Sequence, residues 1–263
     1  MKKIEIKEFG GPEVLEIKNV DIKKPGQNEV LVKNLSIGIN YIDTYHRSGL
    51  YPIPLPSGIG LEACSIIEEV GSEVKLFKVG DRVTRASMPI GTYSEKQIIP
   101  EDKLVKVPDN ISDEVASCIT LKGITAEYLL HRTYQVKKGD KILYHAAAGA
   151  LGQIFCPWAN ALGAEIIGTV GSDEKIEIAK KNGCHHVINY NEKNFVEEVE
   201  KIVGKNGLDV VYDGVGAKTF EGSIEVLKVR GMMVAFGNAS GYVHTLDINC
   251  LLYTSPSPRD LST

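Results

Sequence analysis

Up to about residue 115, the chain alternates short β-branched runs with turn residues. Clusters of glycine, proline and aspartate separate the runs, as at Gly10-Gly11-Pro12 and Val79-Gly80-Asp81. Runs of this length between turn signals are typical of β-strands. Their irregular spacing and the long loops between them predict a barrel-like β fold and not a repeat protein. The predicted strands are Ile4–Ile6, Val14–Val20, Val30–Ile39, Cys64–Val70 and Arg82–Arg85.

After a predicted helix at Ser112–Leu121, apolar strands alternate with amphipathic segments of helix length. Buried parallel strands are continuous apolar runs, and each crossover between two of them needs a connection that is usually a helix. Five strands with intervening helices therefore predict an α/β domain with a doubly wound parallel sheet. The predicted strands are Lys141–His145, Glu165–Val170, His186–Tyr190, Val210–Asp213 and Met232–Phe236, and the helices are Leu151–Leu162, Asp173–Asn182, Asn194–Val203 and Ala217–Leu227.

Composition excludes several classes of function. In 263 residues, 43% are hydrophobic, so the chain can form a packed core and is not disordered. The net charge of −4 does not favour nucleic acid or an anionic membrane as a partner. No segment has the apolar length of a membrane helix or of a signal peptide core. Five scattered cysteines fit reduced thiols, so we expect a cytoplasmic protein.

A turn rich in small residues joins the first strand of the second half to the next helix. Gly149 and Gly152 stand where G-x-G-x-x-G has its second and third glycines, and Ala147 replaces the first. Gly149 would let a pyrophosphate approach the free N–H groups of the helix N-terminus, and Gly152 would let the helix pack closely. The alternative is that these residues serve packing only. The strand before the turn and the helix and strand after it favour a dinucleotide site.

The end of the second strand in this half bears on the choice of cofactor. An NAD site usually has an acidic residue there, which accepts from the ribose 2′-hydroxyl. Here Gly171 and Ser172 leave room for a 2′-phosphate, to which Ser172 and Lys175 can bind, and Tyr190 adds a hydroxyl from the third strand. Two alternatives are that Ser172 and Asp173 only cap the helix, or that Asp173 binds the ribose of NAD. We prefer NADPH.

The sequence has no recognisable metal or nucleophile motif. Adjacent His185 and His186 would point to opposite faces of a strand, and the cysteines form no Cys-x-x-Cys pair. A Gly-x-Ser-x-Gly elbow is also absent from the sequence. Hydride transfer to a good acceptor requires positioning and a dry pocket, because the cofactor carries the chemistry.

Several distinctive segments occur in order between residue 1 and about residue 249. They are 10–15, 38–45, 47–52, 79–83, 122–126, the 146–152 turn, 187–190 and 236–238. In these segments the chain resembles the quinone oxidoreductase (zeta-crystallin-like) family of zinc-free medium-chain dehydrogenase/reductases. Zinc-binding relatives have Cys in place of Asn40, and Gly-His-Glu in place of Gly60-Leu61-Glu62.

The resemblance implies a GroES-like β-barrel-type catalytic domain at residues 1–120 and a Rossmann dinucleotide-binding domain at 121–250. It implies NADPH-dependent, metal-free reduction of quinones, by one electron or by hydride, and a homodimer for the full-length protein. A reductase of alkenals or enones is the alternative enzyme, and a nucleotide-binding module without turnover is the alternative outside enzymes. Measuring NADPH consumption with both classes of acceptor separates the three.

The same resemblance implies roles for individual residues. The alternative is a purely structural role, in which Tyr41 and Tyr45 form a stacked core pair and Asp43 is a turn or cap residue. No required general acid is assigned, because a quinol dianion can take protons from water. The resemblance implies that the nicotinamide and acceptor cleft is lined by Asn40, Tyr41, Asp43 and Tyr45, and that Thr125 faces the nicotinamide carboxamide. It implies that Ala150 and Leu151, between Gly149 and Gly152, donate to the pyrophosphate, and that the adenosine phosphate end is held by Gly171, Ser172, Lys175 and Tyr190. Phe236, Gly237 and Asn238 would follow the fifth strand at the ligand-binding edge of the sheet.

The last residues do not continue the family pattern, in which a sixth parallel strand follows. We expect the native amino-acid sequence to end near Cys250. Residues 251–263 would then be a non-native tail, which resembles a translated sequencing-library adaptor. The alternative is a natural disordered tail, for which Ser-Pro-Ser-Pro is an ordinary composition. In either case the fifth strand would have an uncovered edge.

Overall fold

The computed structural model describes residues 1–243. The chain divides into two compact units, of which the first is Met1–Leu121 and the second begins at Lys122. The expected sixth strand and the predicted non-native tail at 251–263 lie outside the described residues.

The first unit is built from antiparallel strands. In its larger sheet the order is β7-β3-β5-β6-β8, and a smaller sheet has the order β2-β1-β4. Val30, Val32 and Ile67 pack in the core of the larger sheet. The five predicted strands form within two residues of their predicted ends. The strands are β1 Lys2–Ile6, β2 Glu16–Asn19, β3 Glu29–Gly38, β4 Ser57–Gly58, β5 Glu62–Val70, β6 Arg82–Ala86, β7 Lys96–Pro100 and β8 Val105–Lys106.

A short helix that the hydrophobic pattern did not predict follows β3. Helix α1 covers Tyr41–Ser48, and its β-branched and aromatic residues have low helix propensity. Its ends are nevertheless encoded. Asn40 and Asp43 form a capping box, and Gly49 ends the helix with a left-handed φ of 79°.

The second unit contains one parallel sheet in the order β11-β10-β9-β12-β13. Consecutive residues of β9 face opposite sides: Tyr144 packs with Phe155 on one face, while Leu143 packs with Val199 on the other. This arrangement confirms the doubly wound sheet. The strand order reverses between β9 and β12, where this architecture binds ligands. The strands are β9 Lys141–Tyr144, β10 Glu165–Val170, β11 His186–Asn189, β12 Leu208–Asp213 and β13 Leu227–Ala235.

The helices differ from the pattern-based boundaries mainly around Gly123 and Leu227. Helix α2 continues past Gly123, because Ala126 in its last turns is fully buried and tertiary packing outweighs the helix cost of one glycine. Leu227 was predicted as the end of a helix but begins β13. The helices are α2 Asp113–Tyr128, α3 Gly152–Ala161, α4 Ile176–Lys181, α5 Phe195–Val203 and α6 Phe220–Glu225.

Candidate functional site

In the first unit, polar side chains converge at the N-terminus of α1. Asn40 caps the helix, and its Nδ2 donates to Oε2 of Glu62 at 2.8 Å. The backbone N–H of Asn40 donates to Oδ2 of Asp43 at 2.9 Å, and Oη of Tyr93 donates to the same oxygen at 2.9 Å. The backbone N–H of Leu121 donates to Oε1 of Glu62 at 2.7 Å. We call Asn40, Asp43, Glu62 and Tyr93 the Asn40 cluster.

Burial raises the pKa of two members of this cluster, Asp43 and Tyr93. Removal of Asp43 from water raises the pKa of its carboxyl, and the hydrogen bonds from Asn40 and Tyr93 oppose that rise. The pKa of the Tyr93 hydroxyl is also raised, first by burial and then by the neighbouring Asp43 carboxylate. Oδ1 of Asp43 is buried and has no hydrogen-bond partner. Asp43 thus retains one oxygen for a proton or a ligand.

The two predicted tyrosines of α1 have different environments. Tyr41 is 60% exposed, whereas Tyr45 is 8% exposed. Their rings meet edge to face with centroids 5.4 Å apart, and Tyr45 also contacts Tyr51 at 4.9 Å. Most of the Tyr45 side chain is therefore packed against other residues, whereas the ring of Tyr41 is largely exposed to solvent.

Sequence reasoning missed two members of the cluster as site residues. Glu62 was noted only as part of Gly60-Leu61-Glu62, yet its carboxylate is fully buried and binds Asn40. A buried carboxylate needs such partners, but only the fold shows which ones it has. Tyr93 carried no signal, because it follows an irregular turn 50 residues from Asp43.

In the second unit, the predicted turn follows β9 directly. Ala146 has a positive φ of 58°, and the N–H of Gly149 donates to its carbonyl at 2.8 Å. A Cβ on Gly152 would lie 2.3 Å from the carbonyl oxygen of Ala147, so only glycine allows α3 to start this close to the turn. The turn is held tightly at its helix end.

The exposed part of this turn suits an anion. Gly149 and Ala150 are exposed and Leu151 is half-buried. The N–H groups of Ala150 and Leu151 donate to no acceptor in the described part of the chain. They precede α3, and free N–H groups at a helix N-terminus attract phosphate. These residues fit the pyrophosphate of a dinucleotide.

The ends of β10 and β11 contain the residues predicted for the adenosine phosphate. Tyr190 places its hydroxyl 3.2 Å from where a Cβ of Gly171 would be. Ser172 makes no capping hydrogen bond, and its hydroxyl donates to Glu174 at 3.3 Å. Exposed Lys175 forms no ion pair with any described residue. The fold thus brings together these four predicted residues.

Asp173, the residue that would favour NAD, already has a partner. Its Oδ1 accepts from Nδ2 of Asn189 at 2.8 Å, which ties the carboxylate to the end of β11. This contact competes with any hydrogen bond from a ribose hydroxyl.

The remaining predicted residues lie in the loop after β13 and on α2. Phe236 packs on Tyr144 with ring centroids 6.0 Å apart, and a Cβ on Gly237 would lie 2.8 Å from the carbonyl oxygen of Gly214. Asn238 accepts at its carbonyl from the N–H of Gly241. Half-buried Thr125 lies on α2.

Residues 1–243 contain neither a cluster of metal-ligating side chains nor a membrane-spanning helix. No group of three or more His, Cys, Asp or Glu among them could hold a metal ion. No helix in that part of the chain has both the length and the apolar character needed to cross a membrane.

Comparisons with known proteins agree with both units. Residues 26–109 match the alcohol dehydrogenase GroES-like domain, and residues 150–259 match the zinc-binding dehydrogenase family. The chain is 48% identical to a quinone oxidoreductase of Pseudomonas aeruginosa, over 95% of this chain and 77% of the relative. It is 47% identical to a 2-haloacrylate reductase of a Burkholderia species, over 88% of this chain and 72% of the relative.

A solved structure gives the same result. The structure of Escherichia coli quinone oxidoreductase complexed with NADPH superposes with a TM-score of 0.93 at 48% identity, covering 98% of this chain and 81% of the other. The expected GroES-like and Rossmann folds are confirmed. The chain belongs to the quinone oxidoreductase family of the medium-chain dehydrogenase/reductases, and it is an NADPH-dependent oxidoreductase.

Proposed function

We propose that this NADPH:quinone reductase binds the cofactor pyrophosphate at the 146–152 turn and uses the Asn40 cluster with Tyr41 and Tyr45 as its acceptor-side residues. The observation that carries the proposal is the pair of unpartnered N–H groups of Ala150 and Leu151, at the end of the parallel strand where the strand order reverses. We assign residues 1–120 to the catalytic domain and 121–250 to the dinucleotide-binding domain.

The other cofactor contacts follow from the same arrangement. Ser172, Lys175 and Tyr190 bind the 2′-phosphate over Gly171. Phosphate would replace Glu174 as the partner of the Ser172 hydroxyl, and Lys175 would compensate its charge. Thr125 contacts the nicotinamide carboxamide, and Phe236, Gly237 and Asn238 line the cofactor site after β13.

Bound NADPH supplies a hydride to the acceptor, and the protein positions groups around this step. Oδ2 of Asp43 already accepts two hydrogen bonds, so a proton taken up by this carboxyl would be on Oδ1. Exposed Tyr41 offers a ring against which a planar acceptor can stack. A quinol can take its protons from water, so Asp43 is not a required acid.

Activated alkenes are the second candidate acceptors. The 2-haloacrylate reductase relative acts, by its name, on a small alkene conjugated to a carboxylate. Hydride addition to a quinone or to such an alkene is addition to a conjugated system in both cases.

The test follows NADPH absorbance with a panel of quinones, alkenals, enones and 2-haloacrylate. We expect turnover with quinones, and a higher kcat/KM for them than for the alkenes. A higher kcat/KM for an alkene would reverse the order of the two candidates. NADPH binding without consumption by either class would contradict the catalytic role of the Asn40 cluster.

We infer that the full-length protein is a cytoplasmic homodimer. In the family that the chain resembles, the strand that follows β13 in the sheet also helps to pair two subunits. The four cysteines of the described part are free, which suits a reducing compartment. Light scattering of the full-length protein and cell fractionation test the two inferences.

A further inference from the structure

A buried polar network lies beneath the dinucleotide turn. Nδ1 of His145 is 2.9 Å from Oγ1 of Thr169, and its Nε2 is 2.9 Å from Oγ of Ser223. Ser223 donates to Oδ2 of Asp213 at 3.2 Å, and Thr219 donates to the same oxygen at 2.7 Å. All five side chains are at most 3% exposed. We call them the His145 network.

The direction of each hydrogen bond can be assigned. The Ser223 hydroxyl has one proton, and its two acceptors are Asp213 and the carbonyl of Thr219 at 2.7 Å. Ser223 therefore accepts from Nε2–H of His145. The neutral ring then accepts at Nδ1 from the Thr169 hydroxyl. With this tautomer both ring nitrogens are hydrogen-bonded, and the Ser223 proton is left for Asp213 and the Thr219 carbonyl.

The network joins the backbone segments that surround Ala146. The N–H of His145 donates to the carbonyl of Tyr212 at 3.1 Å, and the N–H of Ala147 donates to the carbonyl of Thr169 at 2.9 Å. The backbone carbonyl of Thr169 thus holds the turn at Ala147, and the Thr169 hydroxyl binds the imidazole ring of His145. A positive φ at a residue other than glycine, as at Ala146, persists where its surroundings determine it.

The same network shapes the loop after β12. Oδ1 of Asp213 accepts from the N–H groups of Val215 and Gly216 at 2.7 and 2.9 Å. The N–H of Phe236 donates to the carbonyl of Asp213 at 2.9 Å, which connects the loop after β13. Asp213 therefore holds two loops beside the point where the strand order reverses, the loop after β12 through its carboxylate and the loop after β13 through its backbone carbonyl.

We propose that the His145 network positions the dinucleotide turn for NADPH, so that His145, Thr169, Ser223 and Asp213 are positioning residues for cofactor affinity. None of them touches the cofactor. They act by holding the backbone on both sides of Ala146, from which the N–H groups of Ala150 and Leu151 are presented. The inference rests on the proposed placement of the pyrophosphate at this turn.

The test uses conservative substitutions, each of which changes a single side chain. Ser223→Ala removes the link between His145 and Asp213, and Thr169→Val removes the bond to Nδ1, while Thr169→Ser retains a hydroxyl. Tyr212→Phe is the matched control, because it deletes a buried hydroxyl of the same unit that donates to the carbonyl of Leu129 at 3.0 Å. The readouts are the Kd for NADPH, kcat at saturating NADPH, Tm, and hydrogen exchange of a 145–153 peptide without nucleotide.

We expect Ser223→Ala and Thr169→Val to raise the Kd by about tenfold, the equivalent of about 1.4 kcal/mol, with kcat nearly unchanged. Amide exchange in the 145–153 peptide should speed up in the same two variants, and Thr169→Ser should restore the wild-type Kd. Tyr212→Phe should lower Tm with the Kd unchanged. Equal losses of Tm in Ser223→Ala and Tyr212→Phe with no change in the Kd would overturn the inference.

A change in the turn itself separates this inference from the proposed site. Gly149→Glu places a negative side chain where the pyrophosphate is proposed to bind. If Gly149→Glu weakens NADPH but Ser223→Ala does not, the site stands and the positioning role fails. If Gly149→Glu leaves the Kd unchanged, the proposed site itself is wrong.

Discussion

Several buried polar side chains among residues 1–243 bond to side chains that are distant in sequence. Asn40 reaches Glu62, Tyr93 reaches Asp43, and His145 reaches Ser223. A buried polar group without a partner costs free energy, so such pairs determine which arrangement of the backbone is stable. The charged side chain of Lys175, in contrast, remains in water and is available to a ligand.

At the residue scale, we expect Lys175→Ala to raise the KM for NADPH by about tenfold, which corresponds to one charge-assisted hydrogen bond. The KM for NADH should change little, because NADH lacks the 2′-phosphate. Steady-state kinetics with both cofactors measure the effect, and Lys181→Ala, at the end of α4, is the control. Equal losses for NADPH and NADH would contradict the 2′-phosphate role.

His145 gives a prediction for stability against pH. Burial lowers the pKa of its imidazole to about 4, and the Asp213 carboxylate opposes this shift. Because the pKa in the folded protein lies below that of the unfolded chain, the neutral ring contributes full stability above about pH 6.5. That contribution is lost as pH falls from about 6.5 to 4, by up to about 1.4 kcal/mol per pH unit.

Urea denaturation across this pH range checks the expectation. His145→Gln should flatten the acid side of the stability profile, since glutamine does not titrate. His186→Gln, at the start of β11, is the control. A profile of His145→Gln as steep as that of the wild type would show that other groups cause the acid loss.

At the scale of elements, two glycines of the turn have different functions. Gly152 lies against the backbone of Ala147, whereas Gly149 faces solvent, and a Cβ there would lie 3.0 Å from the carbonyl oxygen of Ala146. Close packing of α3 therefore depends on Gly152, and access to the free N–H groups depends on Gly149. The same seven residues combine a packing contact with a ligand contact.

We expect Gly152→Ala to lower the free energy of unfolding by about 1–3 kcal/mol, because its methyl group meets backbone that cannot move aside. Gly149→Ala should cost less stability and still weaken NADPH binding. Denaturant titration and NADPH titration measure the two effects. Equal stability of Gly152→Ala and the wild type would contradict the packing argument.

Helix α1 is an element that the hydrophobic pattern of the sequence does not predict. The capping box and Gly49 nevertheless signalled its two ends. In contrast, four of the five parallel strands of the second unit were predicted within two residues of their bounds, because strands buried on both faces are continuous apolar runs, whereas β13 begins five residues before its predicted start. Termini are encoded by single residues, and these are easily missed inside a β-branched segment.

At the scale of the whole molecule, we propose that the enzyme works without zinc. The resemblance implies that Asn40 stands where zinc-binding relatives have a cysteine, and the Asn40 amide donates to Glu62 through a nitrogen that has no lone pair for a metal. We expect EDTA and phenanthroline to leave quinone reduction unchanged, and the zinc content of the purified protein to be far below one per chain. Activity lost on chelation and restored by Zn²⁺ would contradict this proposal.

The sequence by itself determined the α/β class and the strand, turn and helix at residues 141–162, because these depend on local periodicity and on small residues at fixed spacing; it favoured NADPH over NAD through Gly171, Ser172 and Lys175. Only the tertiary structure brought Glu62 and Tyr93 to Asn40 and Asp43, and joined His145 to Asp213. The local spacing of apolar residues indicates which side chains of a segment are buried. Which distant polar group satisfies a buried one depends on strand order and register, and these exist only once the chain has folded.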